Sequence, residues 1–215
     1  MYTPKITDQT RLWSGKFGRD YVTRNDLPPD QLDEKFGQRF GITRRSLFGK
    51  FIGDLNPAAM ILEIGCCTGQ QLSLLASDGF SNSCGLELQF DACVQAKSNG
   101  NAPRVVCGDS LSLPFASQSF ELVYTFFLLS HIPDADLRQV MTEITRCSSA
   151  FVFGVEAYAP VVESIPYRGE ESALWNRDNV KKYLEIDGVD LIDQRLLYSA
   201  DGKDFDQAFL LKISR

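Results

Sequence analysis

The chain has 215 residues, 44% apolar and 23% charged, the balance of a soluble protein long enough to bury one core. A net charge of −6 argues against a broad basic face for nucleic acid. No apolar run reaches membrane-spanning length, and the first residues lack the basic-then-apolar form of a signal peptide, so the expected location is cytoplasmic.

In chain order, Trp13, Phe17 and Tyr21 recur every fourth position and share one helical face. That face either packs on the domain or forms a flap over a site. Asp30 to Leu55 reads as one helix, or two broken near Gly41, with Asp30 as N-cap. Asn56-Pro57 stops it. Residues 1–58 therefore read as a helical extension or cap and 59–215 as a Rossmann-like core, together one structural domain.

A steady alternation follows. Strands are expected at Met60–Ile64, Ser83–Leu88, Arg104–Cys107, Phe120–Phe126 and Phe151–Glu156, with helices at Gln70–Ser77, Asp91–Ser98 and Asp134–Cys147. This pattern predicts an α/β fold: a mostly parallel sheet with helices on both faces. AYAPVVESIPYRGEES, with two prolines and a glycine, reads as a long loop. Asn176–Ile186 reads as a helix. Asp190–Tyr198 and Phe205–Ile213, joined by SADGKD, read as an antiparallel C-terminal hairpin.

The motif around which the rest is arranged is ILEIGCCTGQ, residues 61–70. A strand ending in a glycine turn before a helix lets backbone N–H groups approach a ligand. Glu87 closes the next apolar run, near the spacing at which a carboxylate meets a ribose hydroxyl. The nicotinamide fingerprint needs two further glycines where Cys67 and Gln70 stand, and no phosphate-binding Lys-Ser/Thr is present. A nucleoside with an amino-acid tail, carrying no pyrophosphate, fits better than a dinucleotide. The six cysteines match no zinc or C-x-x-C spacing and read as small hydrophobes; no metal is expected.

His131, the single histidine, falls in LLSHIPD just after the fourth strand, at the ligand-binding edge of such sheets. It is either a general base or a loop-orienting side chain. Glu156, Tyr158, Tyr167 and Arg168 cluster after the fifth strand. Tyr158, Tyr167 and Arg168 are candidate substrate contacts, with packed tyrosines and a surface arginine as the alternative. Arg24 is a candidate for a cofactor carboxylate or a solvated side chain.

Glu63-x-Gly65-x-x-x-Gly69, Glu87, GDSLSLPF and FELVYTFFLLSHIPD, in this order, resemble a class I S-adenosylmethionine-dependent methyltransferase. The resemblance implies S-adenosylmethionine as cofactor. It implies Glu63 and Gly65 at the methionine end, Gly69 shaping the turn, Glu87 on the ribose, Leu88 and Gln89 beside the adenine, and Asp109 with Ser110 at the adenine amino group. Phe126 would line both pockets. Cys67 stands where many members carry glycine, and its Cβ narrows the space for the cofactor tail. WSGKFGRDYVTRN, ITRCSSAFVFGVEAYAP and IPYRGEESALWNRD resemble the methylases associated with pseudaminic acid biosynthesis. That implies methyl transfer to oxygen or nitrogen of a small-molecule acceptor, a sugar or nucleotide-activated nonulosonic sugar. The alternatives are another natural product, a protein or a tRNA as acceptor, or a module that binds the cofactor without catalysis.

Overall fold

The computed structural model describes residues 6–102, 104–202 and 205–214. The expected hairpin turn SADGKD is described only as far as Gly202, since Lys203 and Asp204 lie outside the described residues, as do residues 1–5 of the N-terminal stretch read for a signal peptide.

Four helices lead the chain: α1 (Asp8–Ser14), α2 (Lys16–Asn25), α3 (Pro29–Phe40) and α4 (Arg44–Ile52). Then come β1 (Ile61–Ile64), α5 (Gln70–Ser77), β2 (Ser83–Glu87), α6 (Phe90–Ser98), β3 (Val105–Cys107) and β4 (Phe120–Phe126). A 3-10 turn, Leu129–His131, leads into α7 (Asp134–Cys147) and β5 (Ser148–Ala157). The chain closes with β6 (Glu163–Tyr167), β7 (Glu170–Asn176), α8 (Asn179–Tyr183), β8 (Val189–Tyr198) and β9 (Phe205–Ile213).

Seven strands form one sheet in the order β3-β2-β1-β4-β5-β9-β8. The five on the β3 to β5 side are parallel, and β9 and β8 are antiparallel. Both faces are covered, which is why the central strands read as continuous apolar runs. On one face Ile61, Leu122 and Phe153 pack against Leu47, Phe48 and Phe51 of α4. On the other, Leu62, Val123 and Val152 pack against Val140, Met141 and Ile144 of α7. Burying each such side chain contributes about 1.5–3 kcal/mol. The α/β fold with its antiparallel C-terminal pair is thus borne out. Among the described residues no helix is long and apolar enough to cross a membrane.

Four local expectations are corrected. The segment read as a long loop contains the antiparallel hairpin β6–β7. Pro166 sits where the register shifts between Ile165 and Tyr167, so its missing N–H costs no ladder bond. Arg168 (φ 56°) and Gly169 (φ 89°) are both left-handed, as a tight two-residue hairpin turn requires. The aromatic-dotted N-terminus is two helices meeting at Gly15, yet Trp13 still contacts Phe17 and Tyr21, each at 5.2 Å between ring centroids. Asp30 lies inside the first turn of α3, behind Pro28 and Pro29, where its charge meets the helix dipole. The helix expected over Asn176–Ile186 is shorter, confined to α8.

Candidate functional site

The turn between β1 and α5 places Gly65 (φ 76°), Cys67 (φ 51°) and Gly69 (φ 78°) in left-handed conformation. Gly65 and Cys66 donate their N–H groups to Leu86 O at 2.8 and 3.0 Å, stitching the turn to β2. A Cβ on Gly65 would meet Leu128 at 3.0 Å, and one on Gly69 would meet the Ala102 Cβ at 2.7 Å. Glycine at 65 therefore keeps the cleft open, while glycine at 69 permits packing on the far side. The paired cysteines divide their roles. Cys66 turns its sulfur into the core against Gly85. Cys67 carries the strained backbone, and both cysteines line the cleft. Burial holds the Cys66 thiol well above its usual range and pushes Cys67 up to about 12, so both stay protonated.

Glu87 closes this turn from the side. Its two oxygens accept the Cys67 N–H at 3.0 Å and the Gln89 N–H at 2.8 Å. A carboxylate has about four lone-pair sites, so capacity remains for another donor. Burial raises its pKa, and the backbone N–H groups oppose that rise.

A cleft opens at the carboxyl ends of β1 to β4. Glu63, Gly65, Cys67, Glu87, Leu88 and Gln89 line it. Asp109, Ser110, Phe126 and His131 line it as well. Gly69 does not, and neither do Tyr158, Tyr167 or Arg168. Tyr167 stands behind His131, its ring centroid 5.7 Å from the imidazole. Arg168 occupies the turn of the β6–β7 hairpin, and the Tyr158 N–H bonds Phe205 O at 2.9 Å, continuing the β5–β9 ladder. Arg24, near the end of α2, is likewise outside the lining.

Glu63 is 3% exposed on the central strand, opposite Tyr124 of β4. Burial pushes its carboxyl up to about 8, with the Tyr124 hydroxyl and then Arg44 pulling the other way. Its Oε2 has no hydrogen-bond partner. Three more cleft side chains share this condition: Arg44 at Nε, Gln71 at both amide atoms and Trp13 at Nε1. Burial brings Arg44 down to about 10, and its guanidinium lies 4.3 Å from the Phe126 ring centroid.

The N-terminal helices roof the cleft. Thr10 Oγ1 donates to Asp109 Oδ2 at 2.9 Å, and Gln9 Nε2 donates to His131 O at 2.6 Å. At the other end Gln70 Nε2 donates to Asn25 O, and Thr68 Oγ1 to Asp26 Oδ1, both at 3.0 Å. The Trp13 ring packs 4.4 Å from His131. The imidazole Nδ1 lies 2.7 Å from Ala173 O of β7; a carbonyl only accepts, so Nδ1 carries the proton. Burial lowers the His131 pKa to about 4, so the ring is neutral across the physiological range.

Sequence reading missed Gln9, Thr10, Arg44 and Gln71. Gln71 had a usable signal, since it stands in the first turn of the helix after the glycine turn. The other three come from helices far away in sequence.

Residues 62–150 match the family model described as a methyltransferase domain. An uncharacterized protein of Methanocaldococcus jannaschii is 32% identical over 118 residues, 53% of this chain and 42% of that protein. The 24-methylenesterol C-methyltransferase 2 of Oryza sativa subsp. japonica is 24% identical over 140 residues, 62% of this chain and 35% of that enzyme. The matches thus span less than half the length of these relatives. Among solved structures, magnesium protoporphyrin IX methyltransferase from Synechocystis PCC 6803 with bound S-adenosylmethionine superposes with a TM-score of 0.69 at 15% identity, covering 99% of this chain and 100% of that one. The chain thus has the class I methyltransferase fold, and its central stretch matches the methyltransferase domain family.

Proposed function

We propose that this protein is an S-adenosylmethionine-dependent methyltransferase that methylates oxygen or nitrogen of a small molecule, a sugar or nucleotide-activated nonulosonic sugar. The observation that carries the cofactor reading is the set of buried polar atoms left without partners on side chains that line the cleft. Glu63 Oε2 is an acceptor suited to an ammonium, and Arg44 Nε and the Gln71 amide are donors suited to a carboxylate. Buried polar atoms without partners are costly, so their grouping fits a zwitterionic amino-acid tail. The remaining lone-pair capacity of Glu87 fits a ribose hydroxyl.

When bound, S-adenosylmethionine supplies a methyl group already activated on a sulfonium. The protein's part is to bind, align and exclude water. The roof of α1 and α2 performs the last of these. His131 Nε2 accepts the proton that a hydroxyl or ammonium acceptor gives up on methylation. The acceptor class is supported by the resemblance of the N-terminal and post-β5 segments to pseudaminic-acid-associated methylases.

Calorimetry with S-adenosylmethionine and its demethylated product tests the cofactor. No binding of either refutes the reading. Transfer of a labelled methyl group to a panel of nucleotide-activated nonulosonic sugars, other small molecules, protein and tRNA tests the acceptor. Labelling confined to another class overturns the sugar assignment.

A further inference from the structure

Buried charged groups converge on the loop between β4 and α7 that carries His131. Glu156, near the end of β5 and 0% exposed, accepts the Leu128 N–H at 3.1 Å, the Ser130 N–H at 3.0 Å and the Ser130 hydroxyl at 2.9 Å. Ser130 Oγ in turn accepts the Ala157 N–H at 2.9 Å. Arg177, between β7 and α8 and also 0% exposed, donates from Nη2 to Ile132 O at 2.8 Å. Its Nε lies 3.5 Å from Asp134 Oδ1. The residues on either side of His131 are thus each held by a buried ionisable side chain.

A buried carboxylate and a buried guanidinium each cost several kcal/mol to desolvate, and apolar packing would stabilise the same space at less cost. What these two groups supply is direction. Glu156 holds the backbone before His131 and Arg177 the backbone after it. With both ends held, the imidazole reaches Ala173 O through Nδ1. No residue of β7 lines the cleft, so Nε2 is the ring nitrogen left for it.

We propose that Glu156 and Arg177 are positioning residues that hold His131 as the Nδ1–H tautomer, with the Nε2 lone pair offered to the acceptor's departing proton. This rests on His131 being the base, and the experiment separates the two. His131 is the single histidine, so the imidazole nitrogens of 15N-labelled protein give one pair of NMR signals. At neutral pH the wild type is expected to show a protonated Nδ1 and an unprotonated Nε2. Glu156→Gln puts an amide N–H where an acceptor is needed, and Arg177→Met removes the bond to Ile132. Both are expected to give mixed tautomers and at least a roughly tenfold fall in kcat with little change in cofactor KM. Arg177→Lys, which still donates to Ile132 O, restores most of both. Should Glu156→Gln not fold, Ser130→Ala tests the same link by removing only the hydroxyl.

Folded variants that keep a single Nδ1–H tautomer overturn the proposal, as does an Nε2–H tautomer in the wild type. If the tautomer responds but folded His131→Asn transfers methyl groups at the wild-type rate, the positioning role stands and the base reading fails.

Discussion

Glu63→Gln gives the sharpest test of the cleft, because it removes a charge and almost no volume. The Glu63 carboxyl is pushed from its ordinary 4.5 up to about 8, first by burial. A carboxyl with a raised folded pKa contributes stability that is complete below its unfolded value and is lost as pH rises toward the folded one. At pH 7, two and a half units above the ordinary value, the wild type without ligand has lost about 3 kcal/mol relative to the neutral isostere. For a chain of this size that is roughly 6–12 °C in Tm. The assay is urea unfolding of both proteins from pH 4 to 9 without ligand. The stability advantage of the variant should grow from about pH 4.5 and level off above about pH 8. S-adenosylmethionine should narrow the gap, since its ammonium recovers the carboxylate charge; loss of that pairing weakens binding at least about tenfold, so saturating cofactor favours the wild type by at least ~1.4 kcal/mol. Parallel stability curves would refute the reasoning about burial. A variant that binds S-adenosylmethionine as tightly as the wild type would refute the assignment of Glu63 to the cofactor's ammonium.

Three further outcomes are expected. His131 has a folded pKa lowered from 6.5 to about 4, so the unfolded chain binds the extra proton first, and stability falls by about 3 kcal/mol as pH drops through that window; His131→Asn should flatten that part of the unfolding curve. Gly154→Ala would place a Cβ 2.2 Å from the Phe209 ring, with β-sheet backbone behind it, and should lower stability by about 1–3 kcal/mol or more, read as a drop in Tm. Cys67→Gly removes the penalty of a non-glycine residue at φ 51° and should raise stability by about 0.5–1 kcal/mol after the added freedom of the unfolded chain, with S-adenosylmethionine binding no weaker by calorimetry.

Much of this molecule is local and therefore readable. The alternation of apolar runs with helical spacings carried the α/β architecture, because a strand buried on both faces has a signature within its own few residues. The glycine turn and Glu87 were likewise readable, since left-handed backbone and a carboxylate after the next strand are set by short spacings. The hairpin β6–β7 was not. Pro160, Pro166 and Gly169 look like loop residues until the register shift beside Pro166 and the paired left-handed turn at Arg168-Gly169 are seen.

The sequence by itself determined the succession of strands and helices along the chain and the turn ILEIGCCTGQ, because both depend on neighbours along the chain. Only the tertiary structure decided what surrounds that turn. Arg44 comes from α4, Thr10 and Gln9 from α1, and the Ala173 carbonyl that sets the His131 tautomer from β7. None has a fixed spacing to the turn. Their partners are chosen by how helices and hairpin pack on the sheet, which short-range spacing does not encode.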